Sequence, residues 1–330
     1  MRYLIVILLT STILFSCSNN EQKSDNKMKD PLEFLTNEIL EQPDDYSLYA
    51  KRATIYLEQG KLDPAFRDLN KAISLNPNDA ELYILLSEVY FILGNKENSI
   101  SSLNKAVSLD PTNALPLIKL SELYLLLGHH EKVHFFSSKA LLLDVNLAKP
   151  YYHKGMAFLE TFDTANAILN LKIASNIDTA NFDANMQLGA IYYNNSDSIS
   201  EIYLKKAIKN QPNAPSALYY LGMLYQENSE FNKALDVYTQ LFNNAKSGKR
   251  AYFNSGYIYL VELLQFDLAE EMFIQAIDID PAFIEAIYNL GRTYEAKGEN
   301  DLARQYYNRT LEVLPNYPLA IQGLNRLDYK

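Results

Sequence analysis

IEAIYNLGRTYEAKGENDLARQYYNRTLEVLP, residues 284 to 315, decides the fold of this chain. Counting Ile284 as station one, stations four, eight and eleven are Ile287, Gly291 and Tyr294, which share one face of a helix at 3.6 residues per turn. Gly298 then marks a turn, Ala303 and Tyr307 belong to a second helix, and Pro315 ends it because proline cannot continue the hydrogen-bond ladder. The same punctuation recurs along the chain. Pro281 lies 34 residues before Pro315, and Pro43, Pro77 and Pro111 keep the same spacing, with Val145 and Thr179 at the next two stations. Gly60, Gly94 and Gly128 repeat at this period, as do Tyr56, Tyr90 and Tyr124, and Ala72, Ala106 and Ala140. One helical hairpin cannot bury its apolar side alone, so such copies must stack.

The remaining copies follow in register. Gly256, Tyr259, Ala269, Phe273, Ala276 and Pro281 mark one with a residue inserted near Leu264. Leu221-Gly222, Tyr225, Ala234 and Tyr238 mark another. Leu188-Gly189, Tyr192, Leu204, Ala207 and Pro212 mark a copy shortened by one residue, and Gly155, Phe158, Ala167, Leu171 and Ala174 the fourth. The pattern resembles the tetratricopeptide repeat, a pair of antiparallel helices. The resemblance implies an all-α fold, an α-solenoid of about eight such repeats over residues 43–317. A small residue at station eight, Ala53, Ser87 or Ser121 early and glycine later, lets the second helix approach the first. Capping helices are expected at both ends. Asp30-Pro31 supplies an N-cap and a first-turn proline for residues 31–42. Residues 318–330 place Ile321, Leu324 and Leu327 inward and Gln322, Asn325 and Arg326 outward.

The chain has 330 residues, 48% of them hydrophobic, which is globular composition. Forty acids against thirty bases, a net charge of −10, argue against nucleic acid as a partner. A single cysteine closes no intramolecular disulfide and is too few for a thiolate zinc site. Its place is informative. Met1-Arg2 precedes the apolar run Tyr3 to Phe15, which as a helix reaches roughly 20 Å, short of the ~30 Å core of a bilayer. The run therefore reads as a targeting segment. Leu14-Phe15-Ser16-Cys17 resembles the lipobox of bacterial lipoproteins. That resemblance implies a signal peptide over 1–16, lipid on Cys17, a flexible tether over 17–30 and, with Ser18 after the cysteine, the outer membrane of a bacterial envelope.

In the repeat family that this pattern resembles, stations two, five, nine and twelve of each first helix line the inner surface. Station five holds Ala50, Ile84, Ile118, Tyr152, Met186, Tyr219, Phe253 and Tyr288. Station nine holds Thr54, Glu88, Glu122, Met156, Ala190, Met223, Tyr257 and Arg292. A groove for a peptide or partner helix is one reading, since tyrosine and methionine supply adaptable apolar contact. Packing against neighbouring first helices is the other. The subset of the family that clamps a C-terminal carboxylate uses Lys and Asn where this chain has Ala50 and Thr54. Glu88 and Glu122 favour a basic segment in the front half, while Lys149, Arg250 and Arg292 add positive charge behind.

His130-Glu131-Lys132-Val133-His134 matches the pattern in which two histidines one turn apart bind zinc and the glutamate activates water. The repeat offers a simpler account. Glu131 stands where other copies have Asp63, Glu97 and Asp301, acids that favour the start of a second helix. His129 and His130 then sit at a turn, in solvent, able to bind metal adventitiously. The sequence thus points to a non-enzymatic scaffold without cofactor, tethered by lipid and recruiting envelope proteins through the Tyr- and Met-rich groove. The alternatives are a subunit of a secretion, pilus or gliding assembly that binds by its convex face, and a zinc hydrolase built on His130, Glu131 and His134.

Overall fold

The computed structural model describes residues 30–244 and 248–328. Cys17 and the rest of residues 1–29 lie outside them. The described residues form eighteen α-helices and one π-helical turn, without a strand, and no helix among them is long and apolar enough to cross a membrane. The chain divides into two compact units, the first ending at Leu93.

The first unit holds α1 (Pro31–Glu41), α2 (Tyr46–Glu58), α3 (Leu62–Leu75) and α4 (Ala80–Ile92). Asp30 caps α1 by accepting from the Leu32 N–H, and Pro31 fills the first helical position. Leu35, Ile39, Leu48, Ala53, Leu69, Leu82 and Val89 form its core. Arg52 ties three helices together: it donates to both Asp68 oxygens at 2.7 and 2.8 Å and to Thr36 Oγ1 at 3.1 Å.

The second unit begins at Gly94. It runs through α5 (Lys96–Leu109), α6 (Leu115–Leu126), α7 (His130–Leu143), α8 (Ala148–Glu160), α9 (Thr164–Ile177), α10 (Phe182–Asn194) and α11 (Ile199–Asn210). It continues with α12 (Pro215–Glu227), α13 (Phe231–Thr239), α14 (Gly248–Tyr257), α15 (Phe266–Ile279), α16 (Ile284–Lys297), α17 (Asn300–Val313) and α18 (Pro318–Asp328). Each helix packs on the next, and α6, α10 and α16 also reach the helix after that. This nearest-neighbour pattern is that of a repeat stack.

Close approach at station eight explains the glycines. A Cβ on Gly155, Gly189, Gly222, Gly256 or Gly291 would stand 2.5–2.9 Å from Leu171, Leu204, Tyr238, Phe273 or Tyr307 of the paired second helix. The residue inserted near Leu264 is absorbed by widening the end of a first helix. Ile258–Glu262 is π-helical, and the Leu263 N–H donates to the Ile258 carbonyl five residues back at 3.0 Å.

At the turn inside each repeat, Gly60, Gly94, Gly128 and Gly298 take positive φ, and Phe162, Ser196, Ser229 and Leu264 take it at the same station. An L side chain there costs about 1–2 kcal/mol. Phe162 is 92% exposed, so its removal forfeits almost no burial. Phe162→Gly is expected to raise stability by about 1 kcal/mol, after allowance for the looser unfolded chain, and a urea midpoint measures it.

The C-terminal helix departs from expectation. Ala320, Gly323 and Leu327 are buried and Leu324 half-buried, while Ile321 is 41% exposed. The cause is α17, whose Tyr307 ring would stand 2.5 Å from a Cβ on Gly323, so small residues must face it. Arg326 is exposed, as expected, and from there donates to Glu295 at 2.8 and 3.1 Å, a carboxylate that also accepts from the Tyr307 hydroxyl at 2.6 Å.

Candidate protein-binding surface

Helical periodicity places stations five and nine one turn apart on each first helix, about 100° from the face that packs on the second helix. In the first unit Ile84 is buried and Glu88 half-buried. In the second, Ile118, Met186 and Tyr288 are buried, Tyr152, Met156, Tyr219, Met223, Phe253, Tyr257 and Arg292 are half-buried, and Glu122 is exposed. Station five is largely a packing station. The Phe253 ring lies 5.9 Å from Phe273 and 5.2 Å from Phe283, and the Tyr288 ring 5.8 Å from Tyr307 and 5.4 Å from Tyr317. Ile84, Ile118, Met186 and Tyr288 thus offer little surface to a partner, whereas Met156 and Met223 are half-buried. Arg292 stacks on Tyr288 at 6.0 Å and donates to Asn289 Oδ1 at 2.9 Å, which fixes its guanidinium.

Station five of α12 opens onto polar groups. Asn254 of α14 donates to the hydroxyls of Tyr219 at 3.4 Å and Tyr238 at 3.1 Å, and the Tyr238 hydroxyl donates to Gln226 Oε1 at 3.0 Å. Tyr193 of α10 stands edge-on to Tyr220 at 5.3 Å and donates its hydroxyl to Glu227. Burial first, then the Glu227 carboxylate, raises the Tyr193 hydroxyl above its ordinary range. Burial, with Asp183 adding to it, pushes Tyr152 up to about 12. Both hydroxyls stay protonated at neutral pH, and that of Tyr193 donates to Glu227. Tyr193 is at station twelve, where no other copy has a tyrosine, and reading stations five and nine alone passes over it.

The histidine segment is arranged differently from a zinc site. His129 occupies the position before the first turn of α7 without a capping side-chain hydrogen bond, and is exposed with its ring edge-on to Tyr124 at 6.0 Å. His130 is half-buried rather than solvated, because Glu160 of the next repeat reaches back to 3.3 Å from its Nδ1. His134 packs on the Phe158 ring at 4.4 Å, and burial, then Lys154 and His130, lower its pKa. Glu131 is exposed at the first turn of α7. Among the described residues no three His, Cys, Asp or Glu side chains are grouped to hold a metal ion. His153 faces Ser121 instead, with Nδ1 2.6 Å from Oγ. Ser121 is 0% and His153 4% exposed, and burial, then Lys149, pushes the imidazole down to about 4. No substrate reaches that pair. It is an inter-repeat hydrogen bond.

Four family models match the chain: one described as TPR repeat over residues 53–94, and three described as tetratricopeptide repeat over 80–113, 203–236 and 260–327. A curated relative is the protein O-mannosyl-transferase TMTC3 of Homo sapiens, 26% identical over 157 residues, 47% of this chain. The chain spans 17% of that protein's length. Among solved structures, the C-terminal part of a TPR repeat-containing protein from Cytophaga hutchinsonii aligns with a TM-score of 0.49 at 18% identity, over 83% of this chain and 98% of that one. YrrB, described as a TPR protein with an unusual peptide-binding site, aligns with a TM-score of 0.43 at 20% identity, over 68% of this chain and 97% of that one.

Proposed function

We propose that this chain, which is built of tetratricopeptide repeats, is a non-catalytic scaffold that binds a peptide or protein segment on the first-helix surface of its second unit. Proteins of this repeat class are generally interaction scaffolds. The observation that carries the reading is the half-buried set Tyr152, Met156, Tyr219, Met223, Phe253 and Tyr257, which displays aromatic and thioether surface on α8, α12 and α14. Methionine and tyrosine of this kind supply adaptable contact and serve as hot spots. The Tyr193–Glu227 and Tyr219–Asn254 pairs beside them offer hydrogen bonds to a main chain.

The anchor belongs to the same proposal. Lipid on Cys17 holds the scaffold at a bacterial envelope, on the outer membrane, and its partners are other envelope proteins. Anchor and surface together raise the effective concentration of a partner. Cys17→Ser is expected to release a folded protein from membranes, read by fractionation and circular dichroism. For the surface, a Met156→Ser, Met223→Ser double variant is expected to lose about tenfold in affinity for a partner recovered with the wild type, with unchanged helicity. Retention at wild-type strength rejects this surface.

A further inference from the structure

On the second helices, the residue two positions after the first buried small side chain points outward. Reading that station along the repeats gives Arg67, Ser101, Phe135, Leu169, Ile202, Asp236, Glu271 and Gln305. It is polar at both ends and apolar in three consecutive copies. The inward neighbours confirm the register: Val133, Ala167 and Ser200 are buried, and Phe135, Leu169 and Ile202 are 52, 56 and 56% exposed. Leu142, two turns after Phe135 on α7, is 85% exposed. An apolar row thus crosses α7, α9 and α11, helices at equivalent positions of adjoining repeats.

The same three helices are net positive, as is the neighbouring α5 with Lys96 and Lys105 against Glu97. Together α7, α9 and α11 hold Lys132, Lys139, Lys172, Lys205, Lys206 and Lys209 against two acids, Glu131 and Glu201, in a chain whose net charge is −10. By contrast α15 carries Asp267, Glu270, Glu271 and Asp278 and no base. Each member of the apolar row has a lysine one turn further on: Lys139 after Phe135, Lys172 after Leu169, Lys206 after Ile202. Their ammonium groups stand over aromatic rings, Lys139 Nζ at 4.5 Å from the Phe135 centroid, Lys172 Nζ at 5.5 Å from Tyr192 and Lys206 Nζ at 5.1 Å from Tyr203. The Tyr192 and Tyr203 rings stack on each other at 5.7 Å, so the lysines of α9 and α11 border one surface. Glu201 is paired with Lys205 at 2.7 Å.

We propose that this face of α7, α9 and α11 docks on an anionic lipid bilayer, with Phe135, Leu169, Ile202 and Leu142 entering the interface and the lysines meeting lipid phosphates. Single apolar side chains on separate helices, interspersed with lysine, suit a fluid surface that moulds around them. The excess of lysine on a face of an acidic protein fits an anionic leaflet in particular. The residues do not overlap the first-helix surface, so this proposal stands or falls apart from the scaffold reading.

The chain contains no tryptophan, and Leu169→Trp in the full chain places a single reporter in the row, with Ile202→Trp as a second where the first does not fold. The expected result is a blue shift of emission on adding vesicles of phosphatidylglycerol and phosphatidylethanolamine, and no shift with phosphatidylcholine. Adding Lys139→Glu and Lys206→Glu is expected to weaken the response about tenfold or more. Because the reporter sits on the helices, binding by the apolar Tyr3–Phe15 run does not mimic this signal. Emission unmoved by anionic vesicles overturns the proposal, as does an equal shift on phosphatidylcholine. A shift that follows protein concentration without lipid also overturns it, assigning the face to a second copy of the chain.

Discussion

Tyr238→Ala is expected to destabilise the second unit by about 4 kcal/mol, within the range for deleting a fully buried aromatic side chain. Tyr238 is 0% exposed. Its ring fills the space that Gly222 leaves empty, since a Cβ there would stand 2.5 Å from it. It also lies 6.3 Å from Tyr219, and its hydroxyl joins Gln226 and Asn254. Alanine removes all of this at once and leaves a cavity between α12, α13 and α14 that the glycine cannot fill. Tyr238→Phe separates the contributions, because it keeps the ring and is expected to cost about 1 kcal/mol for the lost hydrogen bonds. Urea denaturation of both variants, followed by circular dichroism, checks the pair. A cost below about 1 kcal/mol for Tyr238→Ala contradicts the packing account. The substitution also removes the hydroxyl to which Asn254 donates and the ring beside Tyr219, two residues of the proposed binding surface.

Acidification is expected to weaken the second unit through His153. In the folded chain burial, then Lys149, holds this imidazole down to about 4, whereas an unfolded histidine titrates near 6.5. Above about 6.5 both states are neutral and the hydrogen bond to Ser121 contributes fully. As pH falls the unfolded chain takes up the proton first, so stability declines through the window from about 6.5 to about 4 and this residue contributes no further loss below it. The difference corresponds to about 3 kcal/mol. His153→Gln removes the titration, so the stability gap between wild type and variant is expected to narrow or reverse on acidification. A gap that stays constant from neutral pH to about 4 contradicts the assignment. The effect is local to the contact between α6 and α8, the two first helices joined by the 2.6 Å Ser121–His153 pair.

Much of this architecture is readable from spacing, for a physical reason. Gly222, Gly256 and Gly291 recur because one close helix approach recurs, and Tyr238, Phe273 and Tyr307 recur as the rings that occupy it. The inserted residue near Leu264 was equally visible as a break in phase, and the π-helical turn at Ile258–Glu262 is its structural form. What periodicity does not encode is how near one first helix comes to the next. That distance decides that Tyr288 and Met186 are buried while Tyr219 and Met223 keep surface. Nor does periodicity encode the contacts of a second helix with the next copy, by which Glu160 of α8 reaches His130 of α7 and the Tyr307 ring of α17 takes Gly323 and leaves Ile321 outside. Tyr193 shows the complementary failure: its hydroxyl, bonded to Glu227, occurs at station twelve of one repeat only and leaves no repeating trace. The outward row of Phe135, Leu169 and Ile202 lies between these cases, periodic over three copies only.

The central claim, a scaffold that binds by the first-helix surface of its second unit, is tested most directly by site-specific photocrosslinking in living cells. A photoreactive phenylalanine analogue replaces Met156, Met223 or, as a control on the opposite face, Glu271. The account predicts that Met156 and Met223 crosslink the same protein, that Glu271 does not, and that Tyr219→Ser with Tyr257→Ser abolishes both adducts while the chain stays helical. Adducts confined to Glu271, with none from Met156 or Met223, contradict it.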